Sequence, residues 1–296
     1  MLINELPDDC LLAIFDYIQD IKDLINLFKV FEKWSDIIAD RAKKLKYLID
    51  QPTYSPGYVY LHLKEPIDVT CLSKLFPNLR IAEFSYSCDE EAPIVDMIRL
   101  IRGSDSLKGI IFDCDYHLAF GCIPENANLE MLSTGYIYPN IDGIYENVKQ
   151  LHLWNTNLGL FGCAAHRFPN LERLKIYATE DLREEYSDAP VLANLKILEM
   201  GLPLIDCVGT CCSFKFMDGC PALQSAHIRI DSSRITFNRM IKRVNLRDLV
   251  IQFYQPSEWI ELPRCMSKYP NLKHLAIRGT SLKDEHIKEL ILICQN

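Results

Sequence analysis

Two hydrophobic periods divide the chain. Over the first fifty residues apolar positions recur at three- and four-residue steps. Leu11, Ile14, Phe15 and Ile18 fall at i, i+3, i+4 and i+7, which draws one apolar stripe down a short helix. Pro7 suits a first helical position, and Asp8 and Asp9 follow in the first turn, where the helix dipole favours negative charge. Asp20, with Asp23 three residues on, marks a second start. Leu24, Leu27, Phe28 and Phe31 repeat the helical spacing, and Trp34, Ile37 and Ile38 continue it. Three short helices, each needing an apolar partner, predict a small bundle over residues 1–50.

A turn-rich stretch, Gln51-Pro52-Thr53-Tyr54-Ser55-Pro56-Gly57, then predicts a junction. Beyond it the period changes. Phe76-Pro77-Asn78-Leu79, Phe168-Pro169-Asn170-Leu171, Cys220-Pro221-Ala222-Leu223 and Tyr269-Pro270-Asn271-Leu272 nearly duplicate one another, and each opens an apolar pattern L-x-x-[LA]-x-[FI]. Looser copies begin at Leu107, Leu129, Val148, Leu195 and Leu246, and a tenth unit is a candidate at Tyr58-Leu61-Leu63. The nine clear units are spaced by about 24 residues on average, inside the roughly 20 to 29 residue period of leucine-rich repeats. One such unit cannot bury its apolar face alone, so the units are expected to stack into a curved parallel sheet with helical segments outside. The predicted class is α/β: a three-helix module over 1–50, then a repeat solenoid over 51–296. The N-terminal helices would cover one end of the stack, and Leu282 to Cys294, with Ile287, Leu290, Ile291 and Cys294 at helical spacing, the other. Five residues after the second apolar position, six of the nine units carry a small polar residue, Ser87, Asp115, Thr156, Thr179, Asp231 and Thr280, as expected for side chains that bond backbone in the turn, and the other three carry Ile137, Pro203 and Tyr254.

Composition narrows the function. Hydrophobic residues at 49% and charged residues at 24% belong to a folded chain. A net charge of -8 has the wrong sign for neutralising phosphate backbones, so nucleic acid is a poor partner. No apolar run approaches the roughly 18 residues of a membrane span, and Met1-Leu2-Ile3-Asn4-Glu5 lacks the regions of a signal peptide, so a cytoplasmic or nuclear location is expected. The 12 cysteines then read as reduced, core-filling thiols. Cys207, Cys211, Cys212 and Cys220 cluster, but without the paired C-x2-C knuckles of structural zinc, so no metal is assigned. No G-x-S-x-G, Walker loop or H-E-x-x-H occurs, and the closeness of Cys163 to His166 is not catalytic geometry. The chain is expected to have neither catalytic residues nor a cofactor.

The N-terminal segment resembles a known family. Leu6-Pro7-Asp8-Asp9, Leu11, Ile14-Phe15, Tyr17-Ile18, Asp23-Leu24, Leu27, Val30 and Trp34 follow the F-box pattern in order and spacing. The resemblance covers residues 4–48 by motif and the remainder by architecture, as in F-box proteins joined to leucine-rich repeats. It implies a substrate receptor: the F-box docks on the Skp adaptor of a cullin-RING (SCF) ubiquitin ligase, and the repeats bind the protein to be ubiquitinated. Carried over residue by residue, Leu6, Pro7, Leu11, Ile14, Phe15, Ile18, Leu24, Leu27, Val30 and Trp34 make or support the adaptor contact. Phe31 stands where members often have Cys, and the second tryptophan near the end of the motif is absent, Tyr47 being the nearest aromatic. A repeat scaffold with no ligase role is the alternative.

Side chains alternate along a strand, so the residues two, four and six places after the first of each unit predict the concave face. In the C-terminal half this face carries His152, Trp154, Arg173, Lys175, Tyr177, His227, Arg229, His274 and Arg278, with cations outnumbering the acids Glu199 and Asp248 four to two. Arg and Trp are favoured interface anchors, and Arg clusters capture acidic or phosphorylated peptides. An acidic or phosphorylated segment of a protein substrate is the expected ligand.

Overall fold

A computed structural model describes residues 3–49, 52–53, 55, 57–60, 75–85, 92–113, 123, 127–137, 142–177, 190–201, 210–230, 234–254, 261–279 and 282–294. They fall into two compact α/β units, Met1–Thr134 and Gly135–Asn296. The change of period at residue 50 and this division by contact are drawn on different grounds, and they do not coincide.

The first unit opens with α1 (Asp8–Asp16), α2 (Ile21–Val30) and α3 (Glu32–Ala42). The α3 helix leads into β1 (Tyr47–Ile49), followed by β2 (Tyr58–Tyr60), β3 (Ile81–Ser85), α4 (Ala92–Gly103), β4 (Gly109–Asp113) and β5 (Met131–Thr134). Its strands are parallel in the order β5-β4-β3-β1-β2. A strand is present at Tyr58–Tyr60, at the edge outside β1, but its register is not that of the expected Tyr58-Leu61-Leu63 unit: Val59 is the buried residue, paired with Leu48, and Leu61 and Leu63 lie outside the described residues. The strand β1 escapes the sequence reading because three residues are too few for alternation to show. The edge is covered as expected of the N-terminal helices: the Tyr60 amide donates to the Gln19 carbonyl (2.9 Å), in a bridge beside Asp20.

The second unit holds β6 (Gln150–Leu153), α5 (Leu158–Ala164), β7 (Arg173–Ile176), β8 (Ile197–Met200), β9 (Thr210–Cys211), α6 (Ser213–Met217) and β10 (Ser225–Ile230). It continues with β11 (Arg234–Ile235), β12 (Asp248–Phe253), α7 (Glu261–Met266), β13 (His274–Arg278) and α8 (Asp284–Cys294). The order is β6-β7-β8-β10-β12-β13, all parallel, with β9 and β11 paired separately. Leu151, Leu174, Leu198, Ala226, Leu249 and Leu275 sit side by side across it.

These registers are the predicted ones. The first, fourth and sixth positions of the nine clear units are buried throughout, except Leu275 and Ile277, half-buried on the edge strand β13. The F-P-N-L segments are turns: the amides of Leu79, Leu171, Leu223 and Leu272 donate to the carbonyls of Phe76, Phe168, Cys220 and Tyr269, whose side chains are buried. Proline takes the second turn position, where its fixed φ is preformed. The asparagine is the link between units. Asn78, Asn170, Asn194, Asn245 and Asn271 donate from Nδ2 to the carbonyls of Lys43, Glu146, Pro169, Pro221 and Val244, at 2.7, 2.9, 3.1, 2.9 and 2.8 Å. Each acceptor lies two residues before the preceding unit's first apolar position, so Lys43 identifies Leu45, fully buried, as the first position of a unit built on β1. Thr156 bonds backbone as expected: Oγ1 donates to the Gly135 carbonyl (3.0 Å) and accepts from the Ile137 amide (3.2 Å). Ser87, Asp115, Thr179, Asp231 and Thr280 lie outside the described residues. At the C-terminal end α8 packs against α7 with Leu290 buried, while Ile287 and Ile291 of the expected stripe are exposed.

Among the described residues no helix is long and apolar enough to cross a membrane.

Candidate functional site

The N-terminal helices are assembled from both ends. Pro7 has φ -58° and ψ 152°, so it caps α1 from one residue outside rather than occupying the first helical position. Lys33 of α3 pins that start, pairing with Asp8 (2.8 Å) and donating to the Leu6 carbonyl (3.3 Å). The Asp20 carboxylate caps α2 by accepting from the Lys22 amide (2.8 Å). Leu11, Phe15, Leu24, Ile37 and Ile38 fill the interior, where Phe15 meets Trp34 edge to face at 5.6 Å. Arg41 is also buried, 3.6 Å from Asp16.

The ten residues carried over from the F-box pattern therefore divide. Leu11, Phe15, Leu24 and Trp34 are internal; Leu6, Ile18 and Leu27 are half-buried; Pro7, Ile14 and Val30 are exposed, Val30 by 67%. Two exposed side chains join them that the sequence reading did not select as contacts, Tyr17 at 88% and Phe31 at 44%. Tyr17 stands three residues after Ile14, so helical periodicity was the available signal. Apolar side chains on the outer faces of α1 and α2 are what a partner would cover.

The second cluster lies on the sheet face opposite the buried positions of the second unit. There β6, β7, β8 and β10 bring together His152, Trp154, Arg173, Lys175, Tyr177, His227 and Arg229, whereas His274 and Arg278 stand on the edge strand β13. Trp154 lies against His152 with ring centroids 4.1 Å apart, and the His152 ring meets Tyr177 edge-on at 6.1 Å. The Tyr177 ring lies over Gly201, where a Cβ would come within 1.9 Å of it. Glycine here is a requirement of close approach. With that gap open, Lys175 Nζ and the Arg229 guanidinium carbon sit 5.1 and 5.4 Å from the Tyr177 ring centre.

Glu199 organises the charges. It pairs with Arg173 at 2.6 Å and lies 4.0 Å from Lys175, because β7 and β8 set Lys175 opposite Glu199. At the far end Asp248 meets His274 at 2.6 Å. Burial, then the neighbouring Lys175, lowers the His152 pKa to about 4, with Glu199 opposing, so the ring is neutral at neutral pH. His227 is lowered by burial and by Arg229, and Tyr177 is raised by burial. Glu199 and Gly201 organise the face, and neither is a candidate from spacing alone, because their roles depend on cross-strand neighbours.

The thiols are of two kinds. Cys211, Cys212, Cys220 and Cys265 are buried, and burial pushes the Cys220 thiol up to about 12, which keeps it protonated and unreactive. Cys10 and Cys163 are exposed, and Cys207 lies outside the described residues. Among the described residues no group of three His, Cys, Asp or Glu side chains is placed to hold a metal.

No protein-family model matches the chain, and no match is found among curated proteins.

Proposed function

We propose that the chain is the substrate-recognition subunit of an SCF ubiquitin ligase, with residues 1–50 as an F-box that binds the Skp adaptor and residues 51–296 as a leucine-rich repeat domain that binds the substrate. The observation that carries the reading is the exposed apolar set Ile14, Tyr17, Val30 and Phe31 on helices whose sequence follows the F-box pattern. Fully burying one such side chain contributes about 1.5–3 kcal/mol, less the part already covered, so a few suffice for a docking contact. Leu11, Phe15, Leu24 and Trp34 act from within by holding the helices that present them. The mechanism is proximity: one region holds the adaptor, the other the substrate, and the ligase raises the effective concentration of activated ubiquitin beside substrate lysines.

Co-purification with the Skp adaptor tests this. Ile14→Asp and Val30→Asp should abolish capture while leaving the thermal midpoint within about 3 °C of the wild type, since exposed positions contribute little to stability. Absence of any complex with the unaltered chain favours the second reading, a repeat scaffold with no ligase role, which the ordered polar face of the second unit supports on its own.

A further inference from the structure

We propose that the polar face of the second unit is a two-point peptide site in which Arg229, beside His227, seats an oxyanion side chain and the Trp154–His152 pair takes an apolar side chain about four residues away. The ligand class, an acidic or phosphorylated peptide, rests on the receptor role proposed above.

Charge balance across the face selects Arg229. Arg173 and Lys175 share the Glu199 carboxylate at 2.6 and 4.0 Å, and Asp248 is engaged by His274. Among the described residues neither Arg229 nor Arg278 has a carboxylate partner. Arg229 is half-buried, and it is held by the Tyr177 ring, which reaches over Gly201 to meet it. Its Nε and the neighbouring His227 Nε2 are enclosed without hydrogen-bond partners. A planar guanidinium held against an aromatic ring loses less freedom when it takes an oxyanion in its fork.

The strand order sets the spacing. From β6, which precedes Trp154, to β10, which carries Arg229, there are three strand steps. At about 4.8 Å each they span about 14 Å, which an extended peptide at about 3.3 Å per residue covers in four residues. A peptide crossing the strands would thus place an apolar side chain on Trp154, itself 38% exposed, and an anionic one on Arg229.

The test is fluorescence polarisation on the full chain with no adaptor present, using labelled peptides Phe-Ala-Ala-Ala-X in which X is phosphoserine, glutamate or serine. The phosphoserine peptide should bind at least about tenfold more tightly than the serine peptide, and Arg229→Gln should remove that margin while Arg173→Gln changes affinity less than about threefold. Arg229→Lys, which keeps the charge but not the fork, should retain its melting curve and lose affinity. Placing Phe beside X should weaken binding at least about fivefold, because one anchor is then left unfilled. Glutamate matching phosphoserine identifies a carboxylate seat, and phosphoserine alone a phosphate seat; both support the site. Equal binding of the serine peptide, binding insensitive to spacing, an Arg173→Gln loss as large as that of Arg229→Gln, or no binding by any peptide overturns it. Adaptor capture by the same preparation reports separately on the receptor role. Peptide binding without capture keeps the site and removes the ligase assignment, and capture without peptide binding does the reverse.

Discussion

Ala222 and Ser106 stand where the other seven clear units carry asparagine, and placing asparagine at 222 should stabilise the protein. Seven of the nine clear units place Asn immediately before the first apolar position, and in five of them the side-chain amide donates to a carbonyl two residues ahead of the preceding unit's first apolar position. In Cys220-Pro221-Ala222-Leu223 that donor is missing although the turn is the same, with the Leu223 amide bonded to the Cys220 carbonyl at 3.3 Å. The preceding unit begins at Leu195, so the acceptor by the same rule is the Ala193 carbonyl. An exposed hydrogen bond of this kind contributes about 0.5–1 kcal/mol, the lower part of the usual range, because water competes for both groups. Ala222→Asn should therefore raise the thermal midpoint of the second unit by about 1–4 °C. Asn245→Ala, which removes the bond to the Pro221 carbonyl, should lower it by a similar amount. The double variant measures the coupling between the two bonds, since Asn245 bonds the Pro221 carbonyl beside residue 222 and neighbouring sites are not additive. Scanning calorimetry and hydrogen exchange of the β10 and β12 amides measure both changes. An Ala222→Asn variant that is neutral or destabilised, beside an Asn245→Ala variant that loses stability, would refute the transfer of the rule from one turn to the next.

Three further perturbations probe other parts of the second unit. Asp218 and Lys268 form a buried ion pair across 50 residues, so Asp218→Ala should cost about 3–5 kcal/mol by stranding the ammonium, whereas Asp218→Leu with Lys268→Met should return within about 2 kcal/mol of the wild type; hydrogen exchange reads both. The folded pKa of His152 is lowered from 6.5 to about 4, so the unfolded chain binds the extra proton first and stability contributed by neutral His152 is lost as pH falls through that window. Between pH 7 and 4.5 the urea midpoint should drop more for the wild type than for His152→Asn, and equal drops would remove the assignment. Gly201→Ala sets a methyl group 1.9–2.0 Å from the Tyr177 ring carbons, so it should displace the ring and cost phosphoserine-peptide affinity as Arg229→Gln does; unchanged binding would detach Tyr177 from the site.

The periodic part of this protein was open to reading in the sequence and the aperiodic part was not, for a physical reason. Burial at the first, fourth and sixth positions follows from stacking, which makes every unit solve the same problem with the same residue types. The register of Leu174 beside Leu198 and the turn at Phe168-Pro169-Asn170-Leu171 were thus legible. The strand β1 was not, because three residues appended to a helix carry no period, and the placement of β2 outside it departs from chain order. The helical module was legible as a stripe, yet the stripe alone did not separate Leu11, which faces inward, from Tyr17, which faces out. On the polar face each residue was assigned to its row, but which cations are compensated depends on the neighbour one strand away. Glu199 draws in Arg173 and Lys175 and leaves Arg229 to Tyr177, an outcome that turns on one glycine at position 201. Repeats constrain the core positions to resemble one another and leave the solvent face free to differ. Binding specificity in such a chain therefore resides in side chains that the period does not predict, and it is read from cross-strand contacts rather than from spacing.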